Sequence, residues 1–191
     1  MVALELVKNA PVLLRRERIE LANANMGGSQ PYHAAKSMSP RDASIFLDRC
    51  IGAVNDAARD AVENAISHLR DDGYYVPAAC VLLGSGRPLG DDLTKVLASH
   101  LLIHTAEGVL YRAALKTACE ASGLSVLTVP ERDLAKRAAA ELRLSPAQLQ
   151  RQVAELGASA GPPWQEDQKL SLLASWICLH QTGPCENCLM S

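Results

Sequence analysis

His100, His104, Glu107 and Tyr111 stand at i, i+4, i+7 and i+11, so a helix through them carries all four on one face. Two imidazoles one turn apart can ligate a metal, and a carboxylate three residues further on could join them. The spacing is not the His-Glu-x-x-His of zincins, and it signals no third ligand. Leu93, Leu97 and Leu101 flank the stripe. The ordinary alternative is therefore a pair of histidines packed or hydrogen-bonded along a buried face. Buried polar groups without partners cost about 1–3 kcal/mol each, so a polar stripe on an apolar helix asks for partners of some kind.

Four other places could carry chemistry. Gly84-Ser85-Gly86-Arg87-Pro88-Leu89-Gly90 falls between a strand and a helix, where backbone amides can hold a phosphate and Arg87 could grip an anion. It is neither a Rossmann fingerprint nor a P-loop, and a plain strand-to-helix turn explains it too. Cys178, His180, Cys185 and Cys188 cluster near the C-terminal end, where Cys-x-x-Cys reads as a metal or redox signal or as incidental thiols. Trp164-Gln165-Glu166-Asp167-Gln168-Lys169 opens a helix, and its acids either complement the dipole or point a carboxylate at a sheet. His33, beside Tyr32 after Pro31, reads as a loop histidine, and loops often carry function.

The elements that must position these groups follow from periodicity and punctuation. Val2–Val7 and Val12–Leu21 read as two strands of a hairpin around Asn9-Ala10-Pro11, and residues 22–38 as a loop. Ser39-Pro40-Arg41-Asp42 is a capped helix start. Phe46, Leu47, Cys50, Ile51, Val54, Ala58, Ala61, Val62, Ala65, Ile66 and Leu69 then recur with helical period, and Gly73 stops the helix. A buried strand follows Pro77 and ends near Leu83. One long helix is predicted from Asp91 or Asp92 to Ser122, then a short strand from Leu124 to Val129 closed by Pro130. Three helices complete the order: Glu131 to Leu142, Ser145 to Leu156 with Gly157 as its stop, and Trp164 to His180. Strands separated by long helices imply parallel pairing, and the opening hairpin makes the expected sheet mixed.

With 191 residues, 48% of them apolar, the chain can bury a core without staples. It is read as one α/β domain over residues 1–180 with a flexible tail over 181–191. The 19 basic and 21 acidic side chains leave a net charge of −2, which is no polyanion-binding signature. The basic runs Arg15-Arg16-Glu17-Arg18 and Lys136-Arg137 read as solvated faces. Met1 to Glu5 lacks the basic leader and apolar stretch of a signal peptide, and no apolar run approaches the roughly 20 residues of a membrane span. Cys50, Cys80 and Cys119 lie in apolar patterns, as reduced buried thiols do, so the expected location is the cytoplasm with no membrane partner.

The segment Ala98-Ser99-His100 through Leu115, then Gly123-Leu124-Ser125-Val126 and Pro130-Glu131-Arg132-Asp133-Leu134, resembles the corresponding section of RuvC-type Holliday-junction resolvases. Asp167-Gln168-Lys169-Leu170-Ser171-Leu172-Leu173-Ala174 is similar to that family's acidic, Ala-rich closing helix. The resemblance spans about residues 78–180. It implies an RNase H-like fold, a three-layer α/β/α arrangement of a mixed sheet flanked by helices, and a divalent-metal nuclease or a degenerate relative. It further implies Mg²⁺ or Mn²⁺ held by Glu5, Glu107 and Asp167 as metal ligands and catalytic groups, because paired ions stabilise both oxygens of a phosphodiester displacement. The family's strand-end Glu has no counterpart at Gly84 or Ser85, and Glu107 stands in its place. His104 is then the acid/base candidate, His33, Arg87 and Lys169 the substrate contacts, and nucleic acid the partner. Two rivals are a non-catalytic binding or homodimerisation module and a metal or small-molecule site around His100, His104 and Glu107.

Overall fold

The computed structural model describes residues 1–22, 29–84, 89–90 and 92–182. Arg87, Cys185 and Cys188 lie outside the described residues. In chain order the elements are β1 (Val2–Val7), β2 (Ala10–Arg16), α1 (Pro31–Ala35), α2 (Pro40–Asp71), β3 (Ala78–Leu83), α3 (Leu93–Ala98), α4 (His100–Ala121), β4 (Ser125–Pro130), α5 (Glu131–Glu141), α6 (Pro146–Ala160) and α7 (Glu166–Thr182). The class is mixed α/β. The chain divides into two compact units, one of Met1–Arg18, Pro77–Leu82 and Ser125–Ser191, the other of Ile19–Val76 and Leu83–Leu124.

In the first unit, β1 and β2 pair antiparallel with Val7 opposite Ala10, so the turn is only Lys8 and Asn9. Both residues have positive φ, 52° and 66°, the geometry of a two-residue turn whose twist matches the strands. Proline at position 11 therefore sits in β2, opposite Leu6, rather than in the turn. Val2 and Leu4 face a core built with Val129, Leu134, Leu149, Val153, Leu172, Trp176 and Ile177. Ser175 Oγ on α7 donates to the Val2 carbonyl at 2.8 Å, which satisfies a backbone group at the hairpin's start.

β3 and β4 form a second, parallel pair. It begins where Ser125 N–H donates to the Pro77 carbonyl at 3.1 Å, immediately after the proline that cannot donate to a ladder. One mixed sheet was the expectation. Instead the described strands form two separate pairs, because β1 packs its apolar face on α7 and pairs only with its hairpin partner.

Gly157, expected to stop α6, lies inside it. The Trp164 indole occupies the space a Cβ would take at Gly157, so this glycine permits close packing instead of a turn. The helix ends at Gly161, where φ is 72°. Its start is as read: Ser145 and Gln148 form a reciprocal capping box.

The second unit is helical apart from the end of β3. Its spine is the 32-residue α2. Ser39 is extended and accepts the Asp42 N–H at 3.2 Å, Pro40 takes the first turn, and Gly73, at φ 88°, follows the end. Ala43, Leu47, Cys50, Val54, Ala58, Val62, Ala65 and Leu69 are buried along one stripe, as the periodicity predicts. They pack against α4, which buries Ile103, Ala106, Leu110, Ala114 and Ala118. Full burial of an aliphatic side chain is worth about 1.5–3 kcal/mol, so this seam stabilises the unit. No helix among the described residues is long and apolar enough to cross a membrane.

The helix predicted from Asp91 or Asp92 to Ser122 is two helices, interrupted at Ser99. That residue is extended (φ −120°, ψ 116°), and its hydroxyl accepts the Leu102 N–H at 3.4 Å. A serine that can bond its own backbone offers the chain a way out of the helix, and here it ends α3 and caps α4. The stretch 22–38 is also more than a loop, since Pro31 starts the short helix α1. α1 packs on α2, α3 and α4, with Pro31 and Ala35 buried.

Candidate metal centre

The break at Ser99 makes His100 the first residue of α4, with His104 one turn on and Glu107 nearly two. These three share a face, as their spacing requires. The same face receives α1, and with it His33. The rings of His33, His100 and His104 meet edge to face, with centroids 4.4 to 5.2 Å apart. His33 Nε2 lies 3.3 Å from His100 Nδ1, and His104 Nε2 lies 3.2 Å from His100 Nε2. One ligand atom from each of the three falls within 4.8 Å of the others. His100 and His104 are exposed and His33 is half-buried, so solvent reaches the cluster from one side.

Glu107 stands behind this trio. It is the buried charged residue of the described core, 7% exposed. Its Oε1 accepts the backbone N–H of Tyr32 at 2.8 Å and of His33 at 3.2 Å. Those amides belong to the first turn of α1, whose N–H groups have no partner within the helix. A carboxylate from α4 therefore supplies from outside the cap that the Gln30 side chain does not provide. The same oxygen is 3.9 Å from His33 Nδ1. Glu107 Oε2 and His33 Nδ1 are both buried without a hydrogen-bond partner. Tyr111, next on the stripe, donates its hydroxyl to the Ser29 carbonyl at 3.0 Å and so ties down the chain entering α1.

The electrostatics follow from this burial. Desolvation raises the Glu107 carboxyl above its ordinary value, and the His33 and Tyr32 amides pull it back in part. Desolvation lowers His33, and His104, His100 and Lys36 add to that shift. Lowering favours the neutral imidazole, which is the form that ligates metals. A carboxylate 3.9 Å from Nδ1 would favour the His33 tautomer that carries its proton there. That tautomer would leave a bare Nε2 facing His100.

Glu5 is half-buried on β1, opposite Val12, and Asp167 is exposed in the first turn of α7; both belong to the first unit. Lys169 pairs with Glu166 at 3.1 Å, one turn away on the same helix. In the basic run, Arg15 pairs with Glu17 at 3.2 Å and Arg16 donates to the Gly161 carbonyl at 3.0 Å. Glu107, His104 and His33 belong to the second unit. Among the described residues, the group of three or more His, Cys, Asp or Glu with metal-binding geometry is His33, His100 and His104.

The joining of His33 to the pair on α4 is what sequence reading missed. The partners His33 and His100 are 67 residues apart, and no spacing rule reaches that far. The available signal was Pro31, a helix opener that would turn His33 from a loop residue into one with a defined direction. No family model, curated protein or solved structure matches this chain.

Proposed function

We propose that this protein binds a divalent transition-metal ion of the zinc type through His33, His100 and His104, with one coordination position left open to solvent. The observation that carries the proposal is the convergence of three imidazoles, with one possible ligand atom from each lying within 4.8 Å of the others. Ligands at about 2.0–2.1 Å from a tetrahedral ion are about 3.3–3.4 Å from one another, so admitting one requires the three rings to close up, with His100 turning a single nitrogen to the ion. Imidazole donors favour Zn²⁺, Cu²⁺, Fe²⁺ or Ni²⁺, whereas Mg²⁺ and Mn²⁺ prefer oxygen. Three protein ligands and an open place are the ligand count of catalytic zinc, which lowers the pKa of its bound water to about 7. Hydrolysis is the reaction class such a centre would serve.

The ordinary alternative is a hydrogen-bonded chain of imidazoles, His104 to His100 to His33. The buried carboxylate behind His33 favours the metal reading, because metal-ligating histidines commonly have such a group on the other ring nitrogen. The RNase H-like reading, with Mg²⁺ or Mn²⁺ on Glu5, Glu107 and Asp167 and nucleic acid as substrate, concerns a different centre built from oxygens.

Calorimetry separates the two. Titration of the purified chain with Zn²⁺ is expected to show one ion per chain, lost in His104→Ala and in His33→Ala. Zinc binding that is absent, or unchanged in both variants, would sink the proposal. Titration with Mg²⁺ and Mn²⁺ on wild type and Asp167→Asn tests the oxygen-ligand centre independently.

A further inference from the structure

We infer that Glu107 is the positioning residue of the three-histidine centre: it holds α1 in place through the Tyr32 and His33 amides and closes onto His33 Nδ1 when a metal takes Nε2. The inference rests on the metal-binding reading and goes beyond it by assigning a role to a residue that touches no metal.

Three observations carry it. The ligands are unequally secured, since His100 and His104 ride on the 22-residue α4 while His33 rides on the five-residue α1. A single turn of helix has no stability of its own, so His33 is only as well placed as the contacts that dock α1. Second, Glu107 Oε1 already spans both tasks, at 2.8 and 3.2 Å from the α1 amides and 3.9 Å from His33 Nδ1. Third, Glu107 Oε2 and His33 Nδ1 are both buried and unpartnered. Each group alone is unfavourable, and a single Nδ1–H to carboxylate bond would relieve both. A cation on Nε2 makes Nδ1–H a stronger donor, so metal loading favours that bond. The bond in turn fixes ring orientation and raises ligand basicity. Metal occupancy and α1 docking are thereby coupled through one side chain, and each strengthens the other.

Glu107→Gln separates the two tasks. The amide oxygen can still accept from Tyr32 and His33, but the charge facing Nδ1 is gone. Zinc calorimetry on this variant is expected to show affinity lowered about 10–100-fold, with the three-histidine stoichiometry kept. In wild type, ¹⁵N-edited NMR is expected to show a slowly exchanging His33 Nδ1 proton that appears on adding Zn²⁺. This second measurement needs no variant and so survives any misfolding of Glu107→Gln. A purely structural role would lower stability equally with and without zinc and would leave that proton unprotected. If wild type binds zinc and Glu107→Gln matches its affinity, or if zinc protects no Nδ1 proton, the positioning role is overturned while the metal centre stands. If wild type binds no zinc, both fall together.

Discussion

Glu107 Oε1 accepts the Tyr32 backbone N–H at 2.8 Å across 75 residues of chain, a carboxylate on one helix capping the start of another. Glu107→Ala removes the acceptor for two first-turn amides and is expected to lower the unfolding free energy by about 1–3 kcal/mol. Glu107→Gln should lower it less, since it keeps an acceptor and avoids burying a charge. Urea denaturation of both variants checks the order, and equal losses would show that charge rather than capping matters.

Zinc should stabilise the fold, because the three ligands come together only in the native chain. At free metal 100-fold above its dissociation constant, the gain is about 2.7 kcal/mol. A thermal melt should therefore shift upward with Zn²⁺ and return with EDTA. His100→Ala should abolish the shift, and a shift retained in that variant would place the ion elsewhere.

Ser99→Ala removes the hydroxyl that accepts the Leu102 N–H. Loss of such a cap costs about 0.5–2 kcal/mol. The expected signature is local: weaker hydrogen-exchange protection at the start of α4, with the far end of α4 unchanged. Uniform loss along the helix would mean that the break at Ser99 does not isolate α3 from α4.

Gly157→Ala places a methyl group where the Trp164 indole lies. Overpacking of this kind typically costs about 1–3 kcal/mol. Trp164 should swing out and its emission shift to longer wavelength. Since the buried Trp176 is the second indole of the chain, the same measurement in a Trp176→Phe background isolates the signal.

Burial pushes the Cys80 thiol up to about 12 and the Cys178 thiol up to about 11. With folded values above the ordinary 9.0, the contribution of these thiols to stability is complete below pH 9. It is lost as pH rises through the folded values, because the unfolded state then sheds protons that the folded state retains. Stability should fall between pH 9 and 11, and less so in Cys80→Ala. At pH 8, iodoacetamide should modify Cys80 in native protein more slowly than in urea. Equal rates would show an accessible thiolate.

Much of the fold was legible because its signals are local. The Ser39-Pro40 start, the apolar stripe from Leu47 to Leu69 and the Gly73 stop all act within one helix, and the structure follows them. Ser145 and Pro77 likewise mark element starts through rules that reach a few residues. The misread places are those where a distant or competing contact decides. Gly157 carries the signature of a helix end, yet Trp164 selects it for its missing side chain. Ser99 lies within a continuous helical pattern, and its hydroxyl wins over the pattern. How four strands divide between two pairs depends on what each apolar face meets, which no single segment encodes. The site divides in the same way. Helical period put His100, His104 and Glu107 on one face, while His33 arrives by tertiary docking of α1.

The first unit is assembled from three stretches of chain, ending with Ser125–Ser191, while the second is complete by Leu124. During synthesis the α2–α4 seam can therefore form while α7 is still unmade. The β1–β2 hairpin must wait with Val2 and Leu4 uncovered until α7 arrives to bury them. Contacts of such long sequence separation form slowly. Until α7 is made, the apolar face of the hairpin is thus open to mispairing.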